Sequence, residues 1–432
     1  MNSNYQIAAY YFPNFHLDPR NEAWHGKGWT EWNLVRAAAP RFEGHVQPKV
    51  PAWGYEDESD PAVMAKKIDA ASRSGLSAFL FDWYWYDNGP YLQRALEEGF
   101  LKAENRGDLK FALMWANHDW LDIHPAQRSR PCNVLATGKV SVRQFEEATD
   151  YILEHYFTQP NYWRVDGGLY FSIYELAGLV QGLGGVAGTR TALDGLRDRV
   201  RKRGLGELHL NAVIWGVQIL PAEIKIENPN ALLEALGFDS VTSYVWIHHR
   251  TPPAFPAADY SAYARDCLEE SRRLAGSYRL PYYPNVTMGW DPSPRTIQSD
   301  AYENTGYPAT PILSANTPAA FRKALEGARS LLDETAGPRI LTINAWNEWT
   351  EGSYLEPDTV NGWGLSGRHP RSIFPLKSAP RRNVLPARGS LSDRFFPKAV
   401  EKSGGLRYNN LKGICNGKCV LGQAQNRAFR PL

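Results

Sequence analysis

Glu348 and Glu351 stand three residues apart in Asn344-Ala345-Trp346-Asn347-Glu348-Trp349-Thr350-Glu351-Gly352, directly after the apolar run 340–343. Two carboxylates aimed into one cleft repel each other, so one holds a proton at a pH where the other is ionised. An acid beside a base is what glycosidic cleavage requires: one protonates the departing oxygen while the other generates or is the nucleophile. Bare loop glutamates are usually solvated or paired with arginine. Here Trp346, Asn347 and Trp349 bracket them, a setting costly for charge unless the charge serves chemistry. Glu356 and Asp358 follow closely, so a divalent cation held by all four acids is the weaker alternative. The reading taken forward needs no metal and no cofactor.

A strand is needed to deliver that turn, and the chain supplies eight. Short β-branched and aromatic runs at 6–13, 78–86, 110–117, 169–174, 208–215, 240–246, 283–290 and 340–346 alternate with helix-like stretches. The helical stretches are 60–74, 91–105, 141–156, 191–203, 228–236, 260–275 and 317–335. Eightfold alternation points to a (β/α)₈ TIM barrel, a parallel α/β fold, over an open doubly wound sheet. No G-x-G-x-x-G follows the first strand, against a dinucleotide fold. In a barrel the C-terminal strand ends carry the active site, where the last strand would place Glu348 and Glu351. The first βα connection, 14–58, is far longer than a barrel needs and is expected to lie over the mouth.

Composition bounds the rest. Of 432 residues 43% are hydrophobic and 22% charged, ordinary for a globular chain, while Trp 15, Tyr 22 and Phe 17 make it rich in the rings that stack on sugars or fill cores. The formal charge of +2 is uneven: 365–432 hold 14 Lys and Arg against 2 Asp and Glu, leaving an acidic body at 1–364. That division separates a barrel domain, 1–364, from an irregular basic C-terminal extension, 365–432, whose segment 364–380 lacks helical period. The balance argues against nucleic acid as a partner. No apolar run reaches membrane length, so no span is expected. No leader is evident, which implies a cytoplasmic protein, or a periplasmic or secreted one if a leader was trimmed; a monomer is expected. Cys132, Cys267, Cys415 and Cys419 are too few and scattered for a disulfide framework.

The motifs resemble one family in order along the chain. Asn344-Ala345-Trp346-Asn347-Glu348-Trp349-Thr350-Glu351-Gly352-Ser353-Tyr354-Leu355-Glu356-Pro357-Asp358 is similar to the signature of the WbsX-type, glycoside hydrolase family 99-like proteins. Ala9-Tyr10-Tyr11-Phe12-Pro13 resembles their opening strand, and Trp24-His25-Gly26-Lys27-Gly28-Trp29-Thr30-Glu31-Trp32 the loop after it. Phe42-Glu43-Gly44-His45-Val46-Gln47-Pro48, Trp115-Ala116-Asn117-His118-Asp119-Trp120 and Trp290-Asp291-Pro292-Ser293-Pro294-Arg295 resemble further blocks. The resemblance covers residues 9 to about 364 and implies a (β/α)₈ barrel. It implies retaining cleavage of an α-mannoside-like glycan, with an oligosaccharide or polysaccharide as partner. Carried over, Glu348 is the base that deprotonates the sugar's 2-hydroxyl, and Glu351 the acid at the leaving oxygen. His118 stands where the family commonly has Glu, so that subsite is expected to read a different sugar group. Family members are also labelled glycosyltransferases of polysaccharide assembly, the alternative activity. An inactive carbohydrate-binding barrel is a third.

Further residues fall on segments expected at the mouth. His16, Trp24, Glu31, His45, Asp82, Trp85, Asn117, His118, Asp119, Tyr174, Trp246, Trp290, Asp291, Arg295, Asn347 and Trp349 are the candidate substrate contacts. Each has a plainer alternative. The histidines can be structural, Asp82 a buried acid bonded to backbone, and Asp291 with Arg295 an ion pair. His248-His249 would suggest a metal or proton site only with partners, and none is evident in the sequence.

Overall fold

The computed structural model describes residues 5–128, 132–217 and 226–364. The basic extension 365–432, with Cys415 and Cys419, lies outside the described residues. Eight parallel strands form the barrel: β1 (Gln6–Tyr11), β2 (Ala78–Tyr86), β3 (Lys110–Trp115), β4 (Gly168–Ile173), β5 (Leu208–Val213), β6 (Ser240–Thr242), β7 (Tyr282–Tyr283 and Asn285–Thr287) and β8 (Ile340–Asn344). Adjacent strands pair in sequence order and β1 pairs with β8, from Gln6 opposite Ile340 to Ala9 opposite Ile343. Helices cover the sheet, so strands buried on both faces read as unbroken apolar runs. All nine residues of β2 are buried.

Closure depends on β7, which Pro284 divides. Tyr282–Tyr283 pairs with β6, Asn285–Thr287 pairs with β8, and the Pro284 carbonyl accepts from Thr342 N at 2.9 Å. Proline has no N–H for a ladder, so the strand changes partner where it cannot donate. Polar side chains inside the barrel mark the crossing. Thr242 Oγ1 donates to the Tyr283 carbonyl at 2.8 Å, and Asn285 Nδ2 to Thr342 Oγ1 at 3.1 Å.

The covering helices start where their caps stand. Asp60 accepts from Ala62 N ahead of Pro61–Ser74, and Ser141 with Gln144 forms a capping box for Val142–His155. Pro229–Leu236, Tyr260–Ser277 and Pro318–Glu334 agree with expectation, while Val186–Lys202 begins earlier than expected. One expectation needs correction. The stretch 91–105 forms a π turn, Ala95–Gly99, and a short 3₁₀ turn, Phe100–Lys102; Gly99, the weakest helix former in it, packs on the Glu58 carbonyl where a β-carbon would collide. A short helix, Leu176–Gly182, also appears, capped by Glu175 accepting from Ala177 N at 2.9 Å.

The long first connection contains two helices, Pro19–His25 and Trp32–Ala37. Its ends meet where Glu58 N donates to the Phe15 carbonyl at 3.2 Å, and Phe15 packs on Trp32 with ring centroids 4.1 Å apart. Among the described residues no helix is long and apolar enough to cross a membrane.

Candidate active site

The turn after β8 is held from beneath before it presents any acid. Asn347 exchanges bonds with the backbone of Phe12: Phe12 N donates to Oδ1 at 2.8 Å, and Nδ2 donates to the Phe12 carbonyl at 2.7 Å. The same Nδ2 reaches Glu58 Oε1 at 2.8 Å. Trp349 stacks on Tyr354 at 3.8 Å and donates from Nε1 to Glu356 at 2.7 Å. Lys67 binds both supporting acids, Glu58 at 2.5 Å and Glu356 at 2.6 Å, all three side chains being almost wholly buried. Burial works against the Lys67 ammonium, but the two acids outweigh it and hold its pKa above the usual lysine range. Glu356 is thereby committed, and Asp358 accepts from the Tyr354 hydroxyl and the Asn361 amide. The four acids of the motif therefore do not converge on one point.

Glu348 and Glu351 face a cavity at the C-terminal ends of the strands. They share its wall with Phe12, Asp82, Tyr84, Met114, His118, Asp119, Trp120, His124, Tyr174, Tyr244, His248, Trp290, Arg295 and Tyr307. Rings beside a few convergent polar groups suit a ligand with apolar faces and hydroxyl edges.

The two glutamates have different surroundings. Glu351 Oε1 accepts from Arg295 Nη1 at 2.5 Å and from the Tyr307 hydroxyl at 2.6 Å. A proton on this group therefore belongs on Oε2. Glu348 Oε2 lies 3.1 Å from the Tyr244 hydroxyl and 3.3 Å from Asn344 Nδ2, and Oε1 is 3.8 Å from Arg295. Burial, then the charge of Glu351, push the Glu348 carboxyl well above the usual range against the pull of Arg295. Asp82 is pushed up likewise, chiefly by burial.

Arg295 is itself pinned. Its Nε and Nη2 donate to Glu31 Oε1 at 3.0 and 2.9 Å, and Thr350 and Asn14 donate to the same carboxylate. Burial raises the Glu31 pKa, but Arg295, His124 and Thr350 together bring it below the usual range. Two glycines let the β7 and β8 loops touch. Gly352 sits at φ 65 with Asp291 against the place a β-carbon would occupy, Gly289 lies against the Gly352 carbonyl, and Asp291 N donates to the Glu351 carbonyl at 2.5 Å.

Of the residues expected to touch substrate, Asp82, His118, Asp119, Tyr174, Trp290 and Arg295 line the cavity with both glutamates. The others support them. Glu31 lies behind Arg295, fully buried. His45 and Gln47 bind Asp291 at 2.9 and 2.7 Å, so Asp291 pairs with them and not with Arg295. Asn117 is bound to the backbone of Glu175, and Trp246 donates to the Asn285 carbonyl at 2.9 Å. Trp85 stacks on Trp83, Trp24 packs edge-on to Tyr91, and Asn347 and Trp349 anchor the turn. His16 is buried, with neither ring nitrogen bonded to a described residue, and burial lowers it to about 4.

Tyr244, Tyr307, His124 and His248 were not singled out as contacts by the sequence. His248 has a partner after all, the Tyr174 hydroxyl 3.2 Å from Nε2. Burial holds all three cavity histidines, His118, His124 and His248, below the usual histidine range. Neutral imidazole offers one donor and one acceptor. In His118 the donor is Nδ1, directed at the Asp119 carbonyl 2.9 Å away, so Nε2 is the acceptor.

A family model described as glycosyltransferase WbsX matches residues 7–365. Two curated relatives, each an uncharacterized protein WxcX from a strain of Xanthomonas campestris pv. campestris, are 31% identical over 375 residues, which is 83% of this chain and 48% of theirs. The chain thus spans about half the length of the curated relatives it matches. Among solved structures, a GH99 endo-α-mannosidase from Bacteroides thetaiotaomicron superposes with a TM-score of 0.51 at 14% identity, over 82% of this chain and 87% of that one. A glycoside hydrolase-like protein gives 0.54 at 16%, over 86% and 92%. These likenesses establish the barrel fold.

Proposed function

The chain belongs to the WbsX glycosyltransferase family, and from that premise we propose that it is a glycoside hydrolase cleaving an α-linked, mannoside-like glycan with retention. The reading rests on one observation: two glutamates from one turn meet one cavity in different surroundings, Glu348 beside Tyr244 and Asp82, Glu351 on Arg295 and Tyr307. Glu348 takes the proton of the sugar's 2-hydroxyl, and that oxygen attacks C1 to give an anhydro-sugar. A carboxylate that burial has made more basic suits this step. Glu351 Oε2 protonates the leaving oxygen and then accepts a proton from the incoming water, while Arg295 and Tyr307 keep Oε1 fixed. The similarity in fold to a GH99 endo-α-mannosidase supports the substrate class.

The test is a glycan-library digest. Wild type should release reducing ends from an α-linked glycan, and Glu348→Gln and Glu351→Gln should each lose about 10²–10⁴-fold. Unchanged rates in both variants would end the assignment. The family's description as a glycosyltransferase favours a second reading, in which turnover requires a sugar nucleotide. Calorimetric binding of such a donor would reverse the ranking. Glycan binding without turnover in any variant would indicate a carbohydrate-binding barrel.

A further inference from the structure

We propose that Asp82 is a protonated carboxylic acid in the resting protein and that, through Tyr244, it positions Glu348 as a carboxylate. The argument starts from one hydrogen. The Tyr244 hydroxyl lies 2.9 Å from Asp82 Oδ2 and 3.1 Å from Glu348 Oε2. A phenol can donate to only one of them, so a second bond needs the other acid to donate to the phenol oxygen. Asp82, Tyr244 and Glu348 are 3%, 8% and 4% exposed, so water does not readily supply the missing proton.

Which acid carries the proton follows from their other neighbours. Glu348 has Asn344 Nδ2 at 3.3 Å on Oε2 and Arg295 at 3.8 Å from Oε1. Asp82 forms no ion pair with a described residue, and its Oδ1 is buried without a hydrogen-bond partner. Charge is better placed where donors are, so the chain runs from Asp82 Oδ2–H to Tyr244 Oη, and from Tyr244 Oη–H to Glu348 Oε2. Around Asp82 stand Tyr10 from β1, Tyr84 from β2, Tyr244 after β6, Arg295 after β7, and Glu348 and Glu351 after β8. Arg295, the cation of this set, is drawn to three other carboxylates. Burial pushes the Asp82 carboxyl upward in the same sense.

The positioning role rests on the hydrolase reading; the proton on Asp82 does not. Infrared spectra of wild type labelled separately with carboxyl-¹³C aspartate or glutamate should show, at neutral pH, a protonated-carboxyl band that moves with the aspartate label. That band should vanish in Asp82→Asn. No aspartate-sensitive band, or one that survives in Asp82→Asn, overturns the proposal, and absence of the band from the wild type overturns it even if the variant fails to fold. In the digest, wild-type activity should fall at alkaline pH as Asp82 gives up its proton; Asp82→Asn, which keeps a donor towards Tyr244, should lose less activity than Asp82→Ala and should lack that fall. Equal loss in both variants overturns the positioning role. A wild type that cleaves nothing, yet shows the band, fails the hydrolase reading alone.

Discussion

Replacing Arg295 by methionine removes a guanidinium that serves one fully buried carboxylate and two nearly buried ones. Arg295 is 5% exposed and makes two bonds to Glu31, which is 0% exposed, besides the bond to Glu351. Methionine fills much of the volume but leaves Glu31 as a buried charge without a cation. Breaking such a pair from one side costs about 3–5 kcal/mol. The sign with pH follows from Glu31. In the wild type its carboxyl is held below the usual range, since Arg295 and its companions outweigh burial. Its stabilisation is therefore present above the unfolded pKa of about 4.3 and is lost as pH falls through the folded value. In Arg295→Met burial meets only the remaining partners, Thr350, Asn14 and His124, so Glu31 takes up a proton at a higher pH than in the wild type. The deficit should be largest at neutral pH and should shrink as pH falls towards about 5. Urea unfolding of both proteins at neutral and mildly acidic pH measures it. Adding Glu31→Gln should recover part of the loss. A deficit below about 1 kcal/mol, or one independent of pH, would refute the claim that Arg295 neutralises a buried acid.

Other consequences can be measured alongside. Lys67→Met should cost about 3–5 kcal/mol in denaturant unfolding, because Glu58 and Glu356 lose their shared cation; a loss equal to that of an exposed lysine would show that the trio is not neutralised there. Gly352→Ala combines a left-handed backbone with a collision at Asp291, whereas Gly54→Ala meets a left-handed backbone in open space. The first should therefore be less stable than the second, each paying about 1–3 kcal/mol for backbone strain, and equal melting temperatures would remove the collision from the account. Tyr307→Phe deletes one donor to Glu351 and should lower kcat/KM about 10-fold in the digest, the worth of one buried hydrogen bond.

Strands such as β2 could be read from the chain because they are short, nearly continuous apolar runs, as in Ala78-Phe79-Leu80-Phe81, whereas β6 and β7, with Ser240, Thr242, Pro284 and Asn285, carry a weaker apolar signal. The β8 turn could be read because its acids are adjacent in sequence. Tyr244 and Tyr307 could not. Each is a lone tyrosine without motif spacing, and each meets its glutamate at a sequence separation of 104 or 44 positions. The aromatics divided for a similar reason: Trp290 lines the cavity, while Trp85, Trp246 and Trp349 turn into the packing. Residue type alone does not tell which side of a strand end a ring occupies. The stretch 91–105 has the composition of a helix, and the packing of Gly99 on the Glu58 carbonyl is a tertiary contact that composition does not reveal.

The divided seventh strand has a consequence for how the barrel finds its alignment. Greasy side chains slide past one another at little penalty, but a hydroxyl or amide buried in the interior must meet its mate at one depth only. Thr242 against the Tyr283 carbonyl and Asn285 against Thr342 therefore act as a vernier across the seam, one mark on either side of Pro284. A slip of one position would misalign both marks together and turn the segment leading to Arg295 away from the acids it serves.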